Sequence, residues 1–139
     1  MHILPGTTIT TAAILKELAF TIDPIPGVEI VDVDGDCLFI DGAFIKGDVS
    51  EMLTQLPSRM TTIVIKGCEI EGTVDLSGLK DKTGLKKLVL TGVPLVLESL
   101  SQLPSSLRHL DLDACKVDGA CMTRLSHLTE LDYINLSYN

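Results

Sequence analysis

Three places in the chain gather side chains that could do chemistry. VDVDGD at residues 31–36 offers the alternating carboxylates of a calcium loop. Such a loop takes oxygen ligands from alternate positions, with Gly sixth and Glu twelfth. Counted from Asp32, glycine falls fourth and Ala43 twelfth, so the stretch reads as a solvated acidic turn. His109, Asp111 and Cys115 lie within seven residues and are the residue types of a thiol nucleophile, its base and an orienting carboxylate. Strand alternation, however, predicts His109, Asp111 and Asp113 on one outward face and Cys115 turned inward, away from the exposure a nucleophile needs. Four cysteines (Cys37, Cys68, Cys115, Cys121) and three histidines (His2, His109, His127) could supply zinc ligands, but no CxxC pair occurs and the histidines lack ligand spacing. The Asn135-Leu136-Ser137 sequon falls in a predicted strand with no signal peptide before it, and reads as chance. There is no Gly-rich phosphate loop and no GxSxG. The expectation is a protein without catalytic residues, cofactor or metal.

The elements behind these residues repeat. Gln55 to Gly72 reads QLPSRMTTIVIKGCEIEG, and Gln102 to Gly119 reads QLPSSLRHLDLDACKVDG, without a gap between them in alignment. Four segments share the template LxxLxLxx(N/C): MTTIVIKGC from Met60, LKKLVLTGV from Leu85, LRHLDLDAC from Leu107 and LDYINLSYN from Leu131. Their starts are 25, 22 and 24 residues apart. VEIVDVDGD from Val28 fits less well, 32 residues before Met60. Leucine pairs three apart precede each start: Leu53 and Leu56, Leu76 and Leu79, Leu100 and Leu103, Leu125 and Leu128. Alternating apolar residues suit a strand with one buried face, and a spacing of three suits one side of a helical turn. Each unit is therefore a short strand, a turn and a helical or 3₁₀ return, stable only when stacked on its neighbours. Cys68, Cys115 and Asn139 share the position after the strand, where a side-chain donor can satisfy turn backbone, while Val93 cannot. Gly72 and Gly119 are expected to ease the turn, and Pro57 and Pro104 to end the return segments.

This pattern resembles the leucine-rich repeat family over residues 28–139, or 50–139 without the first unit. LPSSLRHLDLD is also similar to the short repeats of bacterial effector proteins, and the cysteine usage to longer repeats of intracellular eukaryotic proteins. The resemblance implies an α/β solenoid: a right-handed β-α superhelix with a short parallel sheet on its concave face and helical or 3₁₀ returns. It also implies that the concave face binds a partner. By the template that face carries Thr62, Val64 and Lys66; Lys87, Val89 and Thr91; His109, Asp111 and Asp113; Tyr133, Asn135 and Ser137. Lys66, Lys87, Thr91, His109, Asp111, Asp113, Tyr133, Asn135 and Ser137 are the candidate partner-binding residues, and they equally suit an ordinary solvated strand face. Residues 32–47, DVDGDCLFIDGAFIKG, are long for one turn and read as an expanded first repeat, its Ile40-Asp41-Gly42 echoing Ile70-Glu71-Gly72 and Val117-Asp118-Gly119.

At 139 residues the chain is one domain's worth, with 1–27 as an N-terminal cap. Residues 7–20 carry Ile9, Ala12, Ala13, Leu15 and Leu18 at helical spacing, with Thr7 or Thr8 to cap; the basic face of a membrane-surface helix is missing. Five aromatics and no Trp predict an aliphatic core. The net charge of -8 opposes nucleic-acid binding, which needs clustered Lys and Arg. No apolar run reaches membrane-spanning length and the first residues do not read as a secretory or mitochondrial signal, so a cytoplasmic protein with reduced thiols is expected. The last template unit stops at Asn139. Its edge is left to three possibilities: more chain beyond it, Tyr133 and Tyr138 acting as a modest cap, or another chain, including a second copy. A non-catalytic interaction module, a structural subunit docked through that edge, and an enzyme whose catalytic part lies elsewhere are the functions this allows, the first being the expectation.

Overall fold

The computed structural model of the protein describes residues 2–3, 6, 8–19, 28–29, 37–137 and 139. It is an α/β structure with strands in two sheets and few helices. In chain order the elements are β1 (His2–Ile3), β2 (Thr8–Thr10), α1 (Thr11–Ala19), β3 (Val28–Glu29), β4 (Cys37–Asp41), β5 (Phe44–Lys46), α2 (Val49–Gln55), β6 (Thr62–Lys66), β7 (Glu69–Ile70), β8 (Lys87–Thr91), β9 (His109–Asp111) and β10 (Tyr133–Asn135). Among the described residues there are also three 3₁₀ segments, Ser77–Leu79, Leu97–Gln102 and Gly119–Leu125.

The larger sheet runs β10-β9-β8-β6-β4-β1-β3. All its pairs are parallel except β1 with β3. The four template segments thus lie side by side in chain order, and their register is the template's own: Ile63 faces Leu88, Leu88 faces Leu110, and Leu110 faces Ile134. Alternation puts Leu38, Ile40, Ile63, Ile65, Leu88, Leu90, Leu110 and Leu112 inward, all with no accessible surface. The leucine pairs meet them from the return side, Leu53 and Leu56 on α2 and its end, the others on or beside the 3₁₀ segments, and all eight are buried. The aliphatic core this makes is continuous from unit to unit.

Two devices lock neighbouring units. Gly42, Gly67 and Gly92 occupy one turn position with φ of 67°, 59° and 71°, where a β-carbon would crowd the following carbonyl. Ala114 takes that conformation in the next unit, at φ 56°. Each of the four donates its N–H to the neighbouring unit's strand end, at Lys66, Thr91, Asp113 and Ser137. One position on, a side chain donates back to the preceding unit. Cys68 Sγ reaches Ile40 O at 3.7 Å, Cys115 Sγ reaches Leu90 O, and Asn139 Nδ2 reaches Leu112 O at 3.0 Å. Val93 leaves that rung empty, as its sequence position implied.

The structure departs from the sequence reading in several places, most of them in the N-terminal third. The strand in register with β6 is Cys37–Asp41, with Cys37 facing Thr62, and not the segment from Val28. Val28–Glu29 instead closes the far end of the sheet, antiparallel to β1. Residues 1–27, read as a helical cap, also supply β1 to the larger sheet and β2 to the smaller one, and the helix described among them is Thr11–Ala19. Its cap is Thr10, whose Oγ1 accepts the Ala13 N–H at 3.1 Å. The counterpart of Ile70 is Ile45 in the smaller sheet, β2-β5-β7, so Ile40-Asp41-Gly42 is not the equivalent of Ile70-Glu71-Gly72. Finally, Gly72 does sit at positive φ, 73°, but Gly119 does not and opens a 3₁₀ segment capped by Asp118. The VDVDGD stretch and Tyr138 lie outside the described residues.

No helix among the described residues is long and apolar enough to cross a membrane. At the β10 end, Ile134 is 42% exposed although it stands at the position where Ile63, Leu88 and Leu110 are fully buried.

Candidate interaction surface

The outward side of the larger sheet is built in three rows across the strands. The first row is Cys37, Thr62, Lys87, His109 and Tyr133, one residue from each of five parallel strands. The second is Phe39, Val64, Val89, Asp111 and Asn135. The third continues from Asp41, Lys66 and Thr91 to Asp113 and Ser137. Every candidate partner-binding residue named from the sequence falls in these rows. Parallel pairing brings together side chains 22–25 residues apart in the chain.

The rows are not equally available. Val64 and Val89 point outward yet are only 4% and 6% exposed, shielded by their neighbours on the same face. They form the floor of an open depression of about 210 Å³, lined by Phe39, Lys66, Lys87, His109, Asp111 and Tyr133 besides the two valines. Phe39 was not among the sequence candidates, because the unit it belongs to was sought from Val28. The alternation in CLFID was the signal that could have found it. Lys66 is exposed and Lys87 half-buried.

His109 and Tyr133 stack, with ring centroids 4.3 Å apart and planes at 21°. Burial lowers the His109 pKa below its ordinary value, the Lys87 ammonium lowers it further, and Asp111 pulls it back up. At neutral pH the stack is therefore made with an uncharged imidazole.

Asp111 and Asn135 have local duties. Asp111 Oδ1 accepts the Asp113 N–H at 3.0 Å, and Asn135 Oδ1 accepts the Ser137 N–H at 2.9 Å, the same short turn made twice. The second Asp111 oxygen faces Asn135 Nδ2 at 3.4 Å. Asp113 Oδ1 is enclosed and has no hydrogen-bond partner among the described residues. Both Asp111 oxygens are thus committed, and one Asp113 oxygen is covered. Thr91 and Ser137 stand at the strand ends of the third row.

Cys115 is 1% exposed, and its Sγ also faces Asp113 O at 3.5 Å. Burial pushes the thiol up to about 11, with Asp111 and Asp113 adding to the shift against the lowering effect of nearby backbone donors. A buried thiol that donates to a carbonyl is a structural group, and its thiolate is scarce at neutral pH. Cys68 is shifted upward for the same first reason.

Comparison with known proteins gives no match, either to a protein-family model or to a curated sequence.

Proposed function

We propose that the chain is a non-catalytic protein-interaction module, a leucine-rich repeat solenoid in the form of a right-handed superhelix whose concave sheet face binds a protein partner. One observation carries the reading. Parallel, in-register pairing assembles residues of β4, β6, β8, β9 and β10 into one outward surface with an apolar floor and a charged rim. An open depression with apolar residues at its base and polar groups at its rim suits a recognition site. A chain of net charge -8 suits neither a nucleic-acid nor an anionic membrane partner. Thiols held as hydrogen-bond donors at Cys68 and Cys115 suit a reducing compartment, which supports a cytoplasmic location.

Photo-crosslinking tests the reading. A benzophenone amino acid at position 87 should trap the partner in cell extract, and the same group at position 122, exposed on the return side, should not. Crosslinks from position 122 with none from position 87 would overturn it.

Ile134 favours a second reading, a structural subunit docked through the β10 end of the sheet. An apolar side chain 42% exposed at a core position is a surface that a neighbouring chain could cover. Light scattering on the eluted protein separates the two. A stable monomer supports the interaction module; an obligate oligomer that Ile134→Lys disperses supports the subunit.

A further inference from the structure

We infer that the occupant of the β6–β8 part of the sheet face is an extended acidic segment of a protein, with an apolar side chain over Val64 and Val89 and carboxylates toward Lys66 and Lys87. This rests on the reading of that face as a protein-binding surface and names the chemistry of its partner. Charge is the first argument. The molecule carries -8 overall, yet its apolar floor is flanked by two ammonium groups; neither makes an ion pair among the described residues, and Asp41, the cross-strand neighbour of Lys66, lies outside the depression. Lys66 is exposed in the third row, at the end of β6, and Lys87 stands beside Thr62 in the first row, at the start of β8. Four strand positions separate the two levels, roughly 13 Å at the usual rise. An extended peptide therefore meets both with acidic residues about four positions apart and an apolar residue between them.

The β9 side sets the boundary. Asp111 lines the same depression, and its carboxylate already accepts the Asp113 N–H. A second carboxylate there would meet the like charge of Asp111, so the acidic segment belongs over β6 and β8. Phe39 at the opposite rim adds apolar contact. A nucleic acid could offer anions too, but its continuous phosphate charge would be repelled by the molecule as a whole and would leave the valine floor without a partner.

The experiment is selection of binders from an unbiased peptide display library against the whole chain, followed by amide chemical-shift mapping and titration of the selected peptides. The inference expects peptides with Asp or Glu flanking an apolar residue, and shifts centred on β6 and β8. It also expects affinity to fall by about tenfold or more in Lys66→Glu/Lys87→Glu, and to weaken at high salt. The amide spectrum of that variant, compared with the parent's, confirms that the fold is kept. Peptides that map to this face without acidic enrichment, and that bind the charge-reversed variant equally well, overturn the inference while leaving the binding face standing. Shifts confined to other surfaces, or an empty selection, overturn the binding-face reading itself and this inference with it.

Discussion

Among the four residues that share the left-handed turn position after a strand, Ala114 alone carries a β-carbon. Its counterparts Gly42, Gly67 and Gly92 reach the left-handed region without a β-carbon, and Ala114 reaches it at φ 56° with one. Ala114→Gly should therefore stabilise the protein by about 1 kcal/mol, and Gly92→Ala should destabilise it by about the same amount. Urea unfolding of the two variants checks this, and equal midpoints would refute it. His109 makes a pH-dependent contribution of definite sign. Its folded-state pKa lies below the ordinary value of 6.5. The neutral ring is favoured in the folded state, so its contribution is present above about pH 6.5 and is lost as pH falls through the lower folded value. Urea midpoints of the parent should decline more steeply on acidification than those of His109→Gln. Parallel pH curves would show that the shift has no consequence for stability.

At the scale of single elements, alternation along β9 decides which substitutions break the structure. Leu110 and Leu112 have no accessible surface, and an aspartate at either position would bury a charge with no partner. Leu110→Asp or Leu112→Asp should abolish the cooperative unfolding transition. Asp111 lies between them on the other face, and the sequence gives it no structural duty. Its bond to the Asp113 N–H means that Asp111→Ala should cost about 1 kcal/mol while leaving the fold intact. Thermal melting followed by circular dichroism separates the outcomes. If Asp111→Ala unfolds the chain and Leu112→Asp does not, the faces are assigned the wrong way round. Alternation was legible because it depends on neighbours along the chain. The Asp111 turn was not, because a carboxylate two residues from an N–H caps it or faces solvent according to how the strand ends.

Across the whole molecule, the same substitution should have a graded effect. Ile63, Leu88 and Leu110 are fully enclosed between neighbouring units, so truncation to Ala at each should cost about 2–5 kcal/mol through lost burial and the cavity left behind. Ile134 holds the same template position at 42% exposure, and Ile134→Ala should cost less than about 1 kcal/mol. Denaturant titration of the four variants measures the gradient. A cost at Ile134 equal to the others would mean that its face is covered in solution.

The sequence alone determined which side chains point inward from Met60 onward, where the returns lie, and which thiols stand at the turn position as backbone donors. These properties follow from local periods of two and three and from the 22–25-residue spacing of the units. It misplaced the first unit, because VEIVDVDGD and CLFID both alternate and only lateral pairing with Thr62–Lys66 chooses between them. The smaller sheet, the low exposure of Val64 and Val89, the His109–Tyr133 stack and the exposed Ile134 were decided by tertiary structure. Each depends on neighbours 22 or more residues away in the chain. A strand's own pattern fixes its two faces, but what lies beside each face is set by the strands that flank it.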